Sequence, residues 1–291
     1  WILLICYLIN LALNQVEGYF EDNGVDMGFS TIFSAMFNGL DTLNGGNASD
    51  SSVRNQFIYR ADNLCTYFNS VANSLESLQK DLNEEIYSTV SNLNAIGEKI
   101  ALLNKEINQI EVRGGYANEL RDERALLLDE LSGMVAVTTQ EYEVPNTYGA
   151  DLGGTNFTVF INGQILVDGN DNRTLECISD KYKNNQTDAE GMYEIKWADT
   201  GTDFAATTGT AGGTLKALFD LRDGNNTDAL KGVATTITAN EGGVYDKVTL
   251  TNLSNTSINA LNIPEWGTIT AGNKTYEYSA WEAEVDADGN L

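Results

Sequence analysis

Between Leu64 and Ile110 apolar residues recur in steps of mostly four and three, at Leu64, Phe68, Val71, Leu75, Leu78, Leu82, Ile86, Val90, Leu93, Ile96, Ile100, Leu103, Ile107 and Ile110. That spacing lays an apolar seam along one side of a helix and leaves the other sides polar, the pattern of a helix in a coiled-coil or bundle contact. No proline interrupts the run, and Gly97 is its only glycine. The consecutive steps of four from Leu78 to Val90 form a stutter, where a supercoil unwinds locally. Extended from Arg54 to Val112 at about 1.5 Å per residue, the helix makes a rod of roughly 90 Å, far longer than the average globular helix of about 11 residues. The pattern predicts a chain organised around a rod rather than around a pocket.

The flanking segments follow from the same reading. Trp1 to Leu13 is nearly all apolar. At about 13 residues it is too short to span a bilayer, and it lacks the basic start of a signal peptide, so it predicts a buried helix lying on the rod. Glu17 to Gly28 reads as an acidic linker. Phe29, Ile32, Phe33, Met36, Phe37, Leu40 and Leu43 then repeat at helical spacing, with Ser30 and Thr31 as the cap. Asn44 to Ser52 reads as a loop whose serines cap the rod. Gly114 and Gly115 end the rod, and a second helix from about Ala117 to Ser132, apolar at Leu120, Leu127, Leu128 and Leu131, folds back beside it. From Met134 the period switches from 3.6 to 2. Asn156 to Val167 predicts a hairpin turning at Asn162-Gly163. Further strands are expected at Tyr193 to Ala198, Val244 to Leu250, Thr268 to Thr270 and Tyr276 to Tyr278, with a short amphipathic helix over Thr214 to Arg222. The expected class is α+β. A long-helix bundle domain of coiled-coil character spans 1–135, and a mainly β outer domain spans 136–291, with 225–291 as a candidate second β subdomain.

Composition narrows the function. The 291 residues are 42% hydrophobic, enough to bury a core in each of two domains. The net charge of −25 is spread over both halves with no basic cluster, which disfavours nucleic acid and anionic membranes as partners. Cys6, Cys65 and Cys177 are too few and too scattered for a disulfide framework or a zinc site and read as small buried residues. The chain has no histidine, which removes Ser-His-Asp and Cys-His nucleophiles and HExxH zinc sites. An acid-pair glycosidase stays open on composition, but no segment proposes two convergent carboxylates. Asp286 to Asn290 resembles the first half of a calcium loop without the twelfth-position glutamate and reads as a turn, as does Asp168 to Asn172. Sequons such as Asn156 and Asn273 would carry glycans only in a eukaryotic secreted protein. No catalytic residue, metal ligand, cofactor or small-molecule substrate is expected.

The residues from Glu98 to Val137 run EKIALLNKEINQIEVRGGYANELRDERALLLDELSGMVAV. This text resembles the flagellar hook-associated protein 1 family, which joins hook to filament. The resemblance rests on Leu103, Asn104 and Ile107 before a glycine turn at Gly114 and Gly115. It continues through Ala117, Asn118, Leu120, Asp122, Arg124, Leu127, Leu128, Glu130, Leu131 and Ser132. VFINGQILVDG (159–169), GGTLKALFDLRDG (212–224) and the order VEGYF, FSTIFSAMFNGLDTL, VRNQFIYRADNLCTYFN are similar to the family too, covering roughly residues 15 to 225. The resemblance implies a structural, non-enzymatic part of the bacterial flagellum, exported without a cleaved signal peptide. It implies helix-mediated packing against other axial proteins, namely the hook protein, a second junction protein and copies of itself. It further implies a core fragment, without the family's terminal segments. An extracellular adhesin or binding module on a helical stalk is the alternative. Periodicity alone does not separate the two, whereas the 114–132 text favours the flagellar reading.

Six residues are candidates for structural or interface roles: Leu103, Ile107, Asn118, Leu120, Asp122 and Arg124. Among the charges, Arg121 faces only Ala117, Asn118, Arg124 and Ala125 on its own helix, and Arg124 only Leu120, Arg121, Leu127 and Leu128. Neither has an acid three or four residues away. Both lie near a helix start, where the dipole opposes a cation. The pattern predicts that one of them, Arg124 foremost, reaches across to a carboxylate or carbonyl of another segment.

Overall fold

The computed structural model describes residues 2–20, 28–145, 151–183, 185–206, 211–224, 230–239, 245–254, 256, 263–271, 274–286 and 291. Most of the expected acidic linker, the sequon at Asn273 and positions 287–290 of the calcium-like stretch lie outside them. The chain forms two compact units: residues 1–178 with 193–222, and residues 179–192 with 223–291.

The first unit begins with α1 (Ile2–Phe20) and α2 (Phe29–Thr42), whose last turn widens into a π-helical turn over Leu43–Asn47. α1 continues past the expected linker start at Glu17, since Gly18 within a helix costs only about 1 kcal/mol. Its burial is less than expected: Ala12 is covered, but Leu11 and Leu13 are each more than half exposed. α2 starts one residue after an extended Gly28 and uses neither Ser30 nor Thr31 as its cap. Next comes α3 (Ser51–Glu111), 61 residues without a break. Its cap is Asp50 rather than a serine. The Asp50 carboxylate accepts from the Ser52 amide at 2.8 Å, placing an anion at the positive helix end. Gly114, at φ +81, takes the left-handed conformation that lets the chain leave the rod, and α4 (Asn118–Met134) returns along it.

A four-stranded antiparallel sheet follows in sequence order, β1 (Val137–Pro145), β2 (Asp151–Ile161), β3 (Gln164–Asp168) and β4 (Asp171–Asn172). β2 and β3 join through Asn162 and Gly163 at φ 46 and 75, both positive as a type I′ turn requires. β5 (Leu175–Ser179), whose five residues gave no alternation long enough to be foreseen, pairs with β6 (Tyr193–Trp197). α5 (Gly213–Asp223) closes the core. Trp197, Phe204, Leu215 and Leu218 are buried there with Ile86, Leu93, Ile100, Leu131, Ile161 and Leu166 in one cluster.

The α3 seam therefore has two fates. From Ile86 to Ile107 each expected seam residue is buried. What covers this half is the sheet and α4, not a second rod. At Gly97 the Leu166 side chain of β3 comes so close that an added Cβ would sit 3.3 Å from it, so the lone glycine of the rod serves close packing. Nearer the start of α3 only Val71 is buried, while Phe68 and Leu75 stay exposed. There α2 lies alongside, with the Phe29 ring tilted against Tyr67 and edge-on to Phe68 at centroid distances of 6.3 and 6.0 Å, and the Arg60 guanidinium donates to the Ala35 carbonyl at 3.0 Å.

In the second unit β7 (Val233–Ala239) pairs with β8 (Tyr245–Thr251), and β9 (Gly267–Ala271) with β10 (Lys274–Tyr278), both antiparallel. β7 was not foreseen, because VATTITA offers small and polar residues in place of an apolar alternation.

Candidate functional site

A helix has no free backbone groups along its side, so a strand edge that meets one loses its ladder partners unless side chains replace them. On α3 that replacement is made by asparagines. The Asn94 amide donates to the Leu175 carbonyl at 2.8 Å, and its oxygen accepts from the Leu175 N–H at 2.8 Å. Asn108 does the same to Thr155, with 2.8 Å to its carbonyl and 2.9 Å from its N–H. Thr155 lies just beyond the last residue of β2 that pairs with β3, Thr158. Each carboxamide thus copies the donor and acceptor of a missing strand. Asn104, fully enclosed, donates to the Phe157 and Gly169 carbonyls at 3.3 and 2.6 Å. The Asn83 oxygen accepts from the Tyr193 N–H at 2.8 Å and from the buried Arg222 guanidinium at 2.9 Å.

The α4 arginines complete the junction. Arg121 grips Glu111 at the end of α3 with two parallel bonds, Nε to Oε1 at 2.8 Å and Nη2 to Oε2 at 2.7 Å, and reaches Glu141 of β1 at 3.0 Å. Arg124 is only 5% exposed. Its guanidinium lies 3.7 Å above the Phe157 ring, donates to the Asn104 oxygen at 2.8 Å and stands 3.5 Å from Glu141. Both arginines leave their own helix for partners on other elements. The bidentate fork belongs to Arg121, whereas Arg124, the foremost candidate from sequence, is held by stacking on Phe157, by the Asn104 amide and by an ion pair with the Glu141 carboxylate of β1. The Arg121 fork holds the Glu111 carboxyl below its ordinary pKa. Burial pushes the Glu141 carboxyl up, but the Thr155 hydroxyl and the two guanidinium groups outweigh it and leave it lowered. Burial also lowers the Arg124 pKa, as expected for an enclosed cation.

The six sequence candidates divide by exposure. Leu103, Ile107 and Arg124 are buried within this junction, Leu120 is half-buried, and Asn118 and Asp122 are exposed on α4. Leu126, 68% exposed on the same helix, was not singled out, although a leucine among charged neighbours was a visible signal. The cysteines differ from expectation: Cys6 and Cys65 are exposed and Cys177 is half-covered, because the first two lie on the sparsely packed helices at the start of the chain. Burial raises the Cys177 thiol to about 11. Among the described residues no group of three or more His, Cys, Asp or Glu could hold a metal ion, and no helix is long and apolar enough to cross a membrane.

The helical framework and its β attachments are shared with known proteins. Residues 13–240 match the family described as the flagellar hook-associated protein FlgK helical domain. The chain belongs to that family. Among curated members, flagellar hook-associated protein 1 of Bacillus subtilis is 32% identical over 126 residues, which make up 43% of this chain and 24% of that protein. The protein of the same name from Salmonella typhimurium is 28% identical over 168 residues, 57% of this chain and 28% of that one. In fold, the chain resembles the flagellar hook junction protein FlgK from Burkholderia pseudomallei with a TM-score of 0.55 at 23% identity, covering 73% of this chain and 36% of the other. The matched stretch thus spans about a quarter of the length of these curated relatives.

Proposed function

We propose that this chain is part of a structural junction protein of the bacterial flagellum, which joins hook to filament through helix-mediated packing of subunits and turns over no substrate. The observation that carries the reading is the family match over residues 13–240, which includes the whole of α3 and α4. In this reading the helical portion, 1–135, supplies the contacts between subunits, and the mainly β portion, 136–291, with a second β subdomain at 225–291, stays out of them. The partners are other axial proteins, the hook protein and a second junction protein among them, and copies of the chain itself. The site of action is the extracellular flagellum, reached without a cleaved signal peptide.

Two features support helix-mediated packing. Exposed Phe33, Phe37, Ile58, Tyr59 and Phe68 leave the early part of the helical framework with more apolar surface than its own packing covers. Asn118 and Asp122 are likewise accessible on α4, whereas Leu103, Ile107 and Arg124 hold the framework rigid from within. Electron microscopy of cells lacking the gene tests the proposal. Hooks without filaments, restored by the full-length gene, are the expected result. Filaments of normal number and length would refute it.

A further inference from the structure

We draw no further inference here: the strongest candidate, the exposed aromatic patch of Trp266 and Trp281 beside the β9–β10 hairpin, carries nothing, because nothing in the structure shows what covers it.

Discussion

Replacing Asn94 tests whether a helix side chain truly stands in for a strand. Its amide makes two bonds, both at 2.8 Å, to the N–H and C=O of Leu175, a residue only 3% exposed. Asn94→Ala removes both and leaves two backbone groups enclosed without partners. At about 1–1.5 kcal/mol per bond, with part of the desolvation cost added, the loss is about 3 kcal/mol. The unit that contains it has roughly 200 residues, for which each kcal/mol shifts the melting temperature by about 2–4 °C, so a fall of roughly 6–12 °C is expected. Asn94→Asp is more diagnostic. The carboxylate still accepts from the Leu175 N–H, but its second oxygen now faces the Leu175 carbonyl, acceptor against acceptor. Protonation restores the donor, so the folded state holds the proton more tightly than the unfolded chain, whose aspartate titrates near about 3.9. The folded-state pKa is thus raised. The variant is closest to wild type below the unfolded value and loses stability as pH rises through the folded one. Urea unfolding followed at 222 nm, from pH 3.5 to 8, measures the difference between variant and wild type. A loss for Asn94→Ala under half a kcal/mol, or an Asn94→Asp penalty that does not grow with pH, would refute the strand-surrogate reading.

Other perturbations bear on the same framework. Leu103→Ala, at a buried seam position, should cost about 2–5 kcal/mol in urea unfolding, whereas Leu102→Ala, one residue away and 54% exposed, should stay within about 0.5 kcal/mol; equal costs would show the seam misassigned. Arg124→Lys keeps the charge but loses the planar stack on Phe157 and should lower stability by about 1–2 kcal/mol, and an unchanged melting curve would return Arg124 to a bystander role. The Arg121 fork depresses the Glu111 pKa, so its contribution is present above the ordinary carboxylate range and is lost as pH falls through the lowered value. Glu111→Gln should therefore remove about 1 kcal/mol near neutrality, a modest figure because Arg121 is partly in solvent, and should flatten the acid limb of the stability curve. A variant as acid-sensitive as wild type would place that dependence elsewhere.

The sequence by itself determined the local structure with good fidelity. Steps of three and four without proline mark a helix with one apolar face across Gly97, and Asn162-Gly163 marks a tight turn, because both signals lie within a short stretch of chain. The arginines of α4 announced that they needed partners, since a helix offers only positions three and four residues away. Periodicity marks a face as apolar but carries no information on what covers it. The seam looks alike at Leu75 and at Leu93, yet only the second is buried, because only there do the sheet and α4 lie against α3. The asparagines were silent for a related reason. Asn94, Asn104 and Asn108 read as ordinary polar helix residues, and their role exists only once strands from residues 155–175 are brought to α3. Such long-range pairing is set by the packing of the whole unit, which is why the junction of rod and sheet was decided by the tertiary structure alone.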